Sequence, residues 1–483
     1  MEGELSVHID LKGQAIPVGR MWVKERAGKE SATFEYEAAW LKHPQRFALA
    51  PNLMLTPGKF HSANDIFSAF TDPAPDRWGR KLMRHFEVEA AKAEGRTART
   101  LLSSDFLAGV DDEIRLGALR FKRPGDNTFL AHTGRPVPPL MDLGALLSAA
   151  DRIETGKLRQ RDIDLLLAPG GSLGGARPKA SVRDRGLLYI AKFPWARDEW
   201  PVILWEAVLL KLAEDAGIAV APNRMTRIGT KPVLLTQRFD REAGSIRVPF
   251  ISAMTALDAQ DHSEGRSYIE ILDVIRQFGA APLEDARQLW RRMVFNVLVS
   301  NTDDHLRNHG FLWAGQGWRL SPAYDMNPAP PHVSGRMHVL ALNELDSTSS
   351  IDIVMSIAKA FGLTLNEAMR IAGEVGDAVT NWRTAAAAQT LKKDDIDFMS
   401  EAFDQGRLKE ALALGAKAPR MLTVAKPASG PKTLTKAKRA PKKHAGGSPK
   451  TPAKGAGTAT AKRPAEKAGA GKKATPPRKR KTR

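Results

Sequence analysis

Cysteine is absent from all 483 residues, which excludes disulfides, thiolate metal sites and cysteine nucleophiles. Long hydrophobic runs are also missing. The most apolar stretch, Val202 to Ala221, is interrupted by Glu206, Lys211, Glu214 and Asp215, whereas a membrane-spanning helix needs about 20 consecutive apolar residues. The opening Met-Glu-Gly-Glu-Leu has no basic segment leading into an apolar core, so no secretion signal is expected. These absences predict a soluble, cytoplasmic protein with no membrane partner. Acidic residues are nearly missing from one region. Residues 425–483 hold 19 Lys and Arg against the single acid Glu466, and they contain no Phe, Trp or Tyr. The chain carries a net charge of +19, almost all of it in that tail, and the first 424 residues are close to neutral.

The length predicts two to four domains at roughly 100 to 200 residues each. A composition of 42% hydrophobic and 26% charged residues is that of an ordinary globular protein. The tail from Lys426 is built of Lys, Ala, Pro, Gly and Thr, with little that is bulky, so it cannot bury enough surface to offset its ordering entropy. Disorder is predicted for it.

Along the body, residues 4–9 and 18–23 alternate apolar and polar side chains between Gly and Pro breaks, as antiparallel strands do. Residues 78–94 change to a helical period, and Leu116–Phe121 reads as a strand. A short helix follows Leu140, then a Gly-rich segment at Pro169–Lys179. Strands are predicted at Gly186–Phe193, Ala219–Ile228 and Pro232–Phe239, with a helix at Glu199–Ala216 between the first two. Beyond residue 250 apolar spacings of three and four predict helices at 268–278, 283–300, 351–361 and 365–379. A small sheet lobe followed by a larger helical lobe is the expected order.

Three segments carry chemistry. In Gly170-Gly171-Ser172-Leu173-Gly174-Gly175-Ala176-Arg177-Pro178-Lys179, closely spaced glycines allow backbone N–H groups to approach phosphate oxygens, and Arg177 and Lys179 add positive charge. The spacing matches neither the Walker pattern nor G-x-G-x-x-G, and a flexible turn remains an alternative. In Ile190-Ala191-Lys192-Phe193-Pro194, a lysine ends an apolar strand. Kinases use such a lysine for nucleotide phosphates and brace it with a glutamate on the next helix, for which Glu206 is the natural partner. An edge-strand lysine and a solvent-facing glutamate are the plainer reading. In Asn301-Thr302-Asp303-Asp304-His305-Leu306-Arg307-Asn308, Asp303 and Asn308 have the D-x-x-x-x-N spacing of a kinase catalytic loop. Asp325 follows a short hairpin of Gly310–Trp313 and Gly317–Leu320, where a second metal-binding aspartate would stand. Capping of turns by Asp and Asn is the alternative for that segment alone. His305 and His309, four apart, lack the Glu of a zinc motif.

Taken in this order, the segments resemble the HipA family of serine/threonine kinases, the toxins of HipBA toxin–antitoxin modules. Arg238-Phe239-Asp240-Arg241 and Tyr324-Asp325 add to the likeness, which covers most of residues 4–415. The resemblance implies an α+β fold: a bilobal protein-kinase-like core at 136–424 with a largely helical C-lobe, a mixed α/β N-terminal domain at 1–135, and the disordered basic tail at 425–483. It implies ATP and Mg²⁺ as cofactors, Asp303 as catalytic base, and Asn308 and Asp325 as Mg²⁺ ligands. ATP would be held by Ser172, Leu173, Gly174, Gly175, Ala176, Arg177, Lys192, Gln237 and Phe239, with Glu206 and His305 in support. Ser172 occupies the family's autophosphorylation site, whose modification silences the kinase; roughly two added negative charges would oppose a loop that faces ATP phosphates. The family phosphorylates protein hydroxyls, with aminoacyl-tRNA synthetases as precedent, to arrest translation and growth. Its partner is a HipB-like helix-turn-helix antitoxin and, through it, operator DNA.

The tail departs from the family pattern. Its charge would drive salt-dependent, sequence-independent contact with nucleic acid, and with it association with the nucleoid; without aromatic residues it offers no base stacking, and a solvated, solubilising appendage is the alternative. Two other readings stand beside the kinase: a small-molecule phosphotransferase with the same D-x-x-x-x-N geometry, and a nucleic-acid-binding regulator whose kinase core is inert.

Overall fold

The computed structural model describes residues 2–419 except 63–64, 132–136, 158, 160, 163–164, 167–174, 243–244, 261–262, 264 and 404–405. Ser172, Leu173 and Gly174 and the tail at 425–483 therefore lie outside the described residues. The fold is α+β, and its described strands form three antiparallel sheets.

The first sheet has the order β4-β3-β2-β1-β5, from β1 (Gly3–Leu11), β2 (Gln14–Arg26), β3 (Lys29–Tyr36), β4 (Lys59–Ser62) and β5 (Leu119–Lys122). Alternation along β1 and β3 sends Leu5, Val7, Ile9, Ala32 and Phe34 into the core. The predicted strand at Leu116–Phe121 starts later, at Leu119, because the N–H of Gly117 donates to the buried Asp240 carboxylate at 2.8 Å instead of to a neighbouring strand.

The second sheet, β6-β7-β9-β8, is the small lobe. It comprises β6 (Lys179–Asp184), β7 (Leu187–Lys192), β8 (Asn223–Ile228) and β9 (Lys231–Gln237). Strand β6 was not expected, since its Lys179 was read as the end of the Gly-rich segment. A two-residue turn, Arg185-Gly186, joins β6 to β7 with both residues at positive φ, +48° and +83°, the geometry that suits a right-twisted hairpin. On this sheet packs a core of its own: Ala180, Val182, Ala191, Phe193, Val233 and Leu235 meet Leu146, Leu147 and Ile153 of the helix Leu143–Glu154. Trp78 and Leu82, from the helix Arg77–Ala93, join the same core.

The third sheet is β10 (Phe250–Ser252), β11 (Gly310–Trp313) and β12 (Trp318–Leu320), so the predicted hairpin gains one strand. Around it lies the helical lobe. Helix Pro282–Leu298, with Leu289, Trp290, Met293, Val294 and Phe295 buried, packs against helices Tyr268–Phe278 and Leu365–Thr380. Capping boxes start both of these neighbours, Ser267 with Glu270 and Thr364 with Glu367.

The sequence before residue 135 is tied to the small lobe by buried charge. Arg238 and Arg241 both donate to Asp240, and they also donate to backbone oxygens of Ile114, Arg115 and Gly117. Burial opposes the charge of Asp240, yet the two guanidinium groups hold its carboxyl far below the usual range. No helix among the described residues is long and apolar enough to cross a membrane.

Candidate active site

Strand β7 ends at Lys192, and its register with β6 sets Lys192 directly opposite Lys179. Two ammonium groups facing each other across a ladder repel, and carboxylates from three separate elements stand around them. Lys192 Nζ lies 2.5 Å from Glu206 Oε1 and 3.0 Å from Asp325 Oδ1. Glu206 projects from the helix Val202–Asp215 and is buried. Lys179 Nζ lies 3.0 Å from Asp76 Oδ2. Asp76 comes from the N-terminal region, where it caps the helix Arg77–Ala93 through Gly79 N at 2.7 Å.

Burial works against the charge of Lys192, but Asp325 and Glu206 outweigh it and hold the ammonium above the ordinary lysine range. Asp325 responds in the opposite sense. Burial raises it, yet Lys192 and Lys179 together hold it down at about 2. Glu206, deeper in the protein, is pushed up by burial against the pull of Lys192. Asp325 is thus an ionised carboxylate beside two cations. Its backbone is left-handed at φ +58°, a conformation that aspartate tolerates better than bulkier residues.

The helix Pro282–Leu298 ends just before the D-x-x-x-x-N segment. Asp303 is exposed while Asn308 is buried. Asn308 Nδ2 donates to the Asp303 carbonyl at 3.4 Å, which leaves Oδ1 as the amide's acceptor atom. Tyr324 Oη donates to the Arg307 carbonyl at 2.7 Å, so the neighbours of Asn308 and Asp325 are bonded and the two residues stand on adjoining segments. Partial desolvation raises the Asp303 carboxyl, Asp325 and Asp304 raise it further, and His305 opposes them. His305 acts on Asp325 in the same direction.

Asp304 was not singled out from the sequence, yet it anchors the loop. Its buried carboxylate accepts from Tyr268 Oη, from Asn296 Nδ2 at 2.9 Å and from His309 Nε2 at 2.8 Å. The pattern that could have exposed it is a second aspartate directly after the predicted base, followed by a histidine five positions on. Asp76 was likewise not assigned to the site, and Lys179 was read only as positive charge beside the glycines. An Asp before a helical run signals an N-cap, but nothing local announces that its other oxygen reaches a lysine 103 residues away.

Other predicted ATP-binding residues take varied places. Gly175 and Ala176 are exposed. Gly175 has φ +100°, and a Cβ there would come 2.9 Å from Lys179 Nζ and 3.8 Å from Asp325 Oδ2, so the glycine lets the chain run close over both charges. Arg177 pairs with Asp198 and lies 5.7 Å from the Trp195 ring centre. Gln237 ends β9, and the Phe239 ring packs 5.5 Å from that of Tyr324.

The donor set fits Mg²⁺. Asp325 and the Asn308 amide supply hard oxygen atoms, and Mg²⁺ is ordinarily held by one or two carboxylates completed by substrate phosphates and water. Among the described residues no three His, Asp or Glu side chains are grouped to hold a metal by themselves.

Comparison with known proteins adds to this geometry. The HipA-like C-terminal domain model matches residues 171–382 and the HipA N-terminal domain model matches residues 9–103, together more than half the chain. A curated relative from Sinorhizobium fredii, named "Putative kinase Y4mE", is 25% identical over 248 residues, which are 48% of this chain and 56% of that protein. The chain thus spans little more than half the length of that relative. Among solved structures, HipA of Shewanella oneidensis, determined with HipB and operator DNA, is 16% identical and covers 85% of this chain and 96% of its own, with a TM-score of 0.56. The Helicobacter pylori proinflammatory kinase CtkA, 15% identical, covers 51% of this chain and 95% of its own with a TM-score of 0.39.

Proposed function

The chain belongs to the HipA family of kinases, and from that premise we propose that it is an ATP-dependent protein serine/threonine kinase with Asp303 as catalytic base. The observation that carries the proposal is the Lys192 ammonium held between Glu206 and Asp325 beside the Asp303–Asn308 loop. Phosphoryl transfer is mostly positioning and charge stabilisation, and this arrangement supplies both. The acceptor hydroxyl gives its proton to Asp303, its oxygen bonds to the γ-phosphorus, and the bond to the β–γ bridging oxygen breaks to release ADP. Lys192 and Lys179 offset negative charge on the phosphates. Mg²⁺, held by Asn308 Oδ1 and Asp325, supplies further charge neutralisation when bound.

The acceptor is a protein hydroxyl, with an aminoacyl-tRNA synthetase as the family's example and growth arrest as the outcome. Ser172, three residues before Gly175, is the autophosphorylation site. A HipB-like helix-turn-helix antitoxin is the partner, in line with the HipB and operator DNA bound to the Shewanella protein. The tail at 425–483 adds salt-dependent contact with nucleic acid.

Incubating the protein with labelled ATP, Mg²⁺ and a bacterial extract separated into protein and small-molecule fractions tests the acceptor class. Label in protein serine or threonine, absent with Asp303→Asn, is expected. Label confined to small molecules would instead identify a small-molecule phosphotransferase.

A further inference from the structure

Resting on the kinase reading, we propose that Asp76 is a positioning residue of the nucleotide site, contributed by the N-terminal region, which holds the Lys179 ammonium in its phosphate-facing place. Four observations lead there. Lys179 and Lys192 are directly paired across β6 and β7, so each needs a counter-charge to stay beside the other. Lys192 has Glu206 and Asp325, while Lys179, with only 3% of its side chain exposed, lies 3.0 Å from Asp76. The Lys179 ammonium also stands where a side chain on Gly175 would have to pass, next to Asp325. Finally, the same helical turn grips the segment twice more: Trp78 Nε1 donates to the Lys179 carbonyl at 3.0 Å and Trp78 N to the Gly175 carbonyl at 3.4 Å.

The two oxygens of Asp76 have separate tasks. One caps the helix at Gly79 N, and the other receives the lysine. Asn or Ser would cap as well, but only a carboxylate balances an ammonium in a buried place, where an unpaired charge is costly. Without that balance the Lys179 charge acts more strongly on Asp325, whose carboxyl it already holds down, and competes with the cation that ATP brings. The nucleotide site of this chain is therefore completed by a residue that lies within the match to the N-terminal family model, at 9–103, and outside the match to the C-terminal one, at 171–382.

The test uses the full chain and Mg-ATP. KM for ATP, kcat and melting temperature are measured for wild type, Asp76→Asn, Lys179→Met and the double variant, with Asp76→Ser in place of Asp76→Asn should the latter not fold. Loss of a charge-assisted bond to a buried ammonium predicts a KM for ATP raised roughly tenfold with a smaller fall in kcat. Because Asp76 acts through Lys179, adding Asp76→Asn to Lys179→Met should change KM less than about twofold. An unchanged KM in Asp76→Asn, or an equal effect in both backgrounds, overturns the proposal while leaving the kinase reading intact. A wild-type protein that neither binds ATP nor transfers phosphate overturns both.

Discussion

Lys192 and Asp325 are 133 residues apart in the chain, yet the Nζ of one lies 3.0 Å from the Oδ1 of the other. Glu206 completes the contact from a third element, at 2.5 Å. Replacing Lys192 with Met should lower kcat/KM for ATP at least about 100-fold, the scale expected when a group that stabilises developing charge is lost. Glu206→Gln should leave Lys192 wholly to Asp325 and raise the Mg²⁺ concentration needed for half-maximal rate. A Lys192→Met enzyme within a few-fold of wild type would remove this triad from the chemistry.

The raised carboxyl of Asp303 has a consequence for pH. A base must be ionised to accept the hydroxyl proton, so kcat/KM is present above the Asp303 pKa and lost as pH falls through it. Desolvation and the nearby Asp325 and Asp304 lift that pKa above the usual value for aspartate, about 3.9. A profile of kcat/KM against pH should bend downward on the acid side above that value. A profile flat down to about pH 4 would show that no raised carboxyl governs the rate.

Asp304 holds the Asp303–Asn308 loop through bonds from Tyr268, Asn296 and His309. All three bonds converge on Oδ2, so Asp304→Asn can keep an oxygen there, but it removes the negative charge that strengthens them and sets a buried NH₂ in the place of Oδ1. A loss of about 2 to 4 kcal/mol of stability is expected, together with a reduced kcat from a displaced Asp303. Chemical denaturation and steady-state kinetics on the same preparation check the pair of effects. Tyr268→Phe should give the milder form of both.

His338 supplies a second pH effect, on stability. It is buried, with Nε2 3.0 Å from Ser349 Oγ. Burial and the charge of Arg407 lower its pKa to about 4, against the pull of Asp304. Between its ordinary value of 6.5 and about 4 the unfolded chain takes up a proton that the folded protein does not, so stability falls as pH drops through that window. A decrease of about 2 kcal/mol between pH 7 and pH 5 is the share expected from this one group. His338→Gln should remove that share of the slope, and an unchanged slope would contradict the assignment.

How much of this could be read from the sequence depends on the range of the interaction. The helix at 268–278 was placed to the residue because its apolar spacing is a local signal. The order of Lys192, Glu206, Asp303, Asn308 and Asp325 pointed to one site because kinase chemistry uses those residue types in that succession. Lys179 was seen only as charge flanking glycines, since the strand it begins is defined by pairing with β7 and carries little pattern of its own. Asp76 was out of reach, because its partner is set by how the helix Arg77–Ala93 packs on the small sheet through Trp78 and Leu82. Asp304 was hidden in plain view: its role depends on three donors from other segments, and its neighbour Asp303 already accounted for the motif.

Whether Asp303 drives phosphoryl transfer from ATP is read by following ATP consumption and label transfer for wild type and Asp303→Asn, each first shown by its melting temperature to be folded. Transfer by wild type and its loss by at least about 1,000-fold in Asp303→Asn, with ATP binding retained, is the predicted result. Wild-type rates in the Asp303→Asn protein would show that Asp303 is not the base.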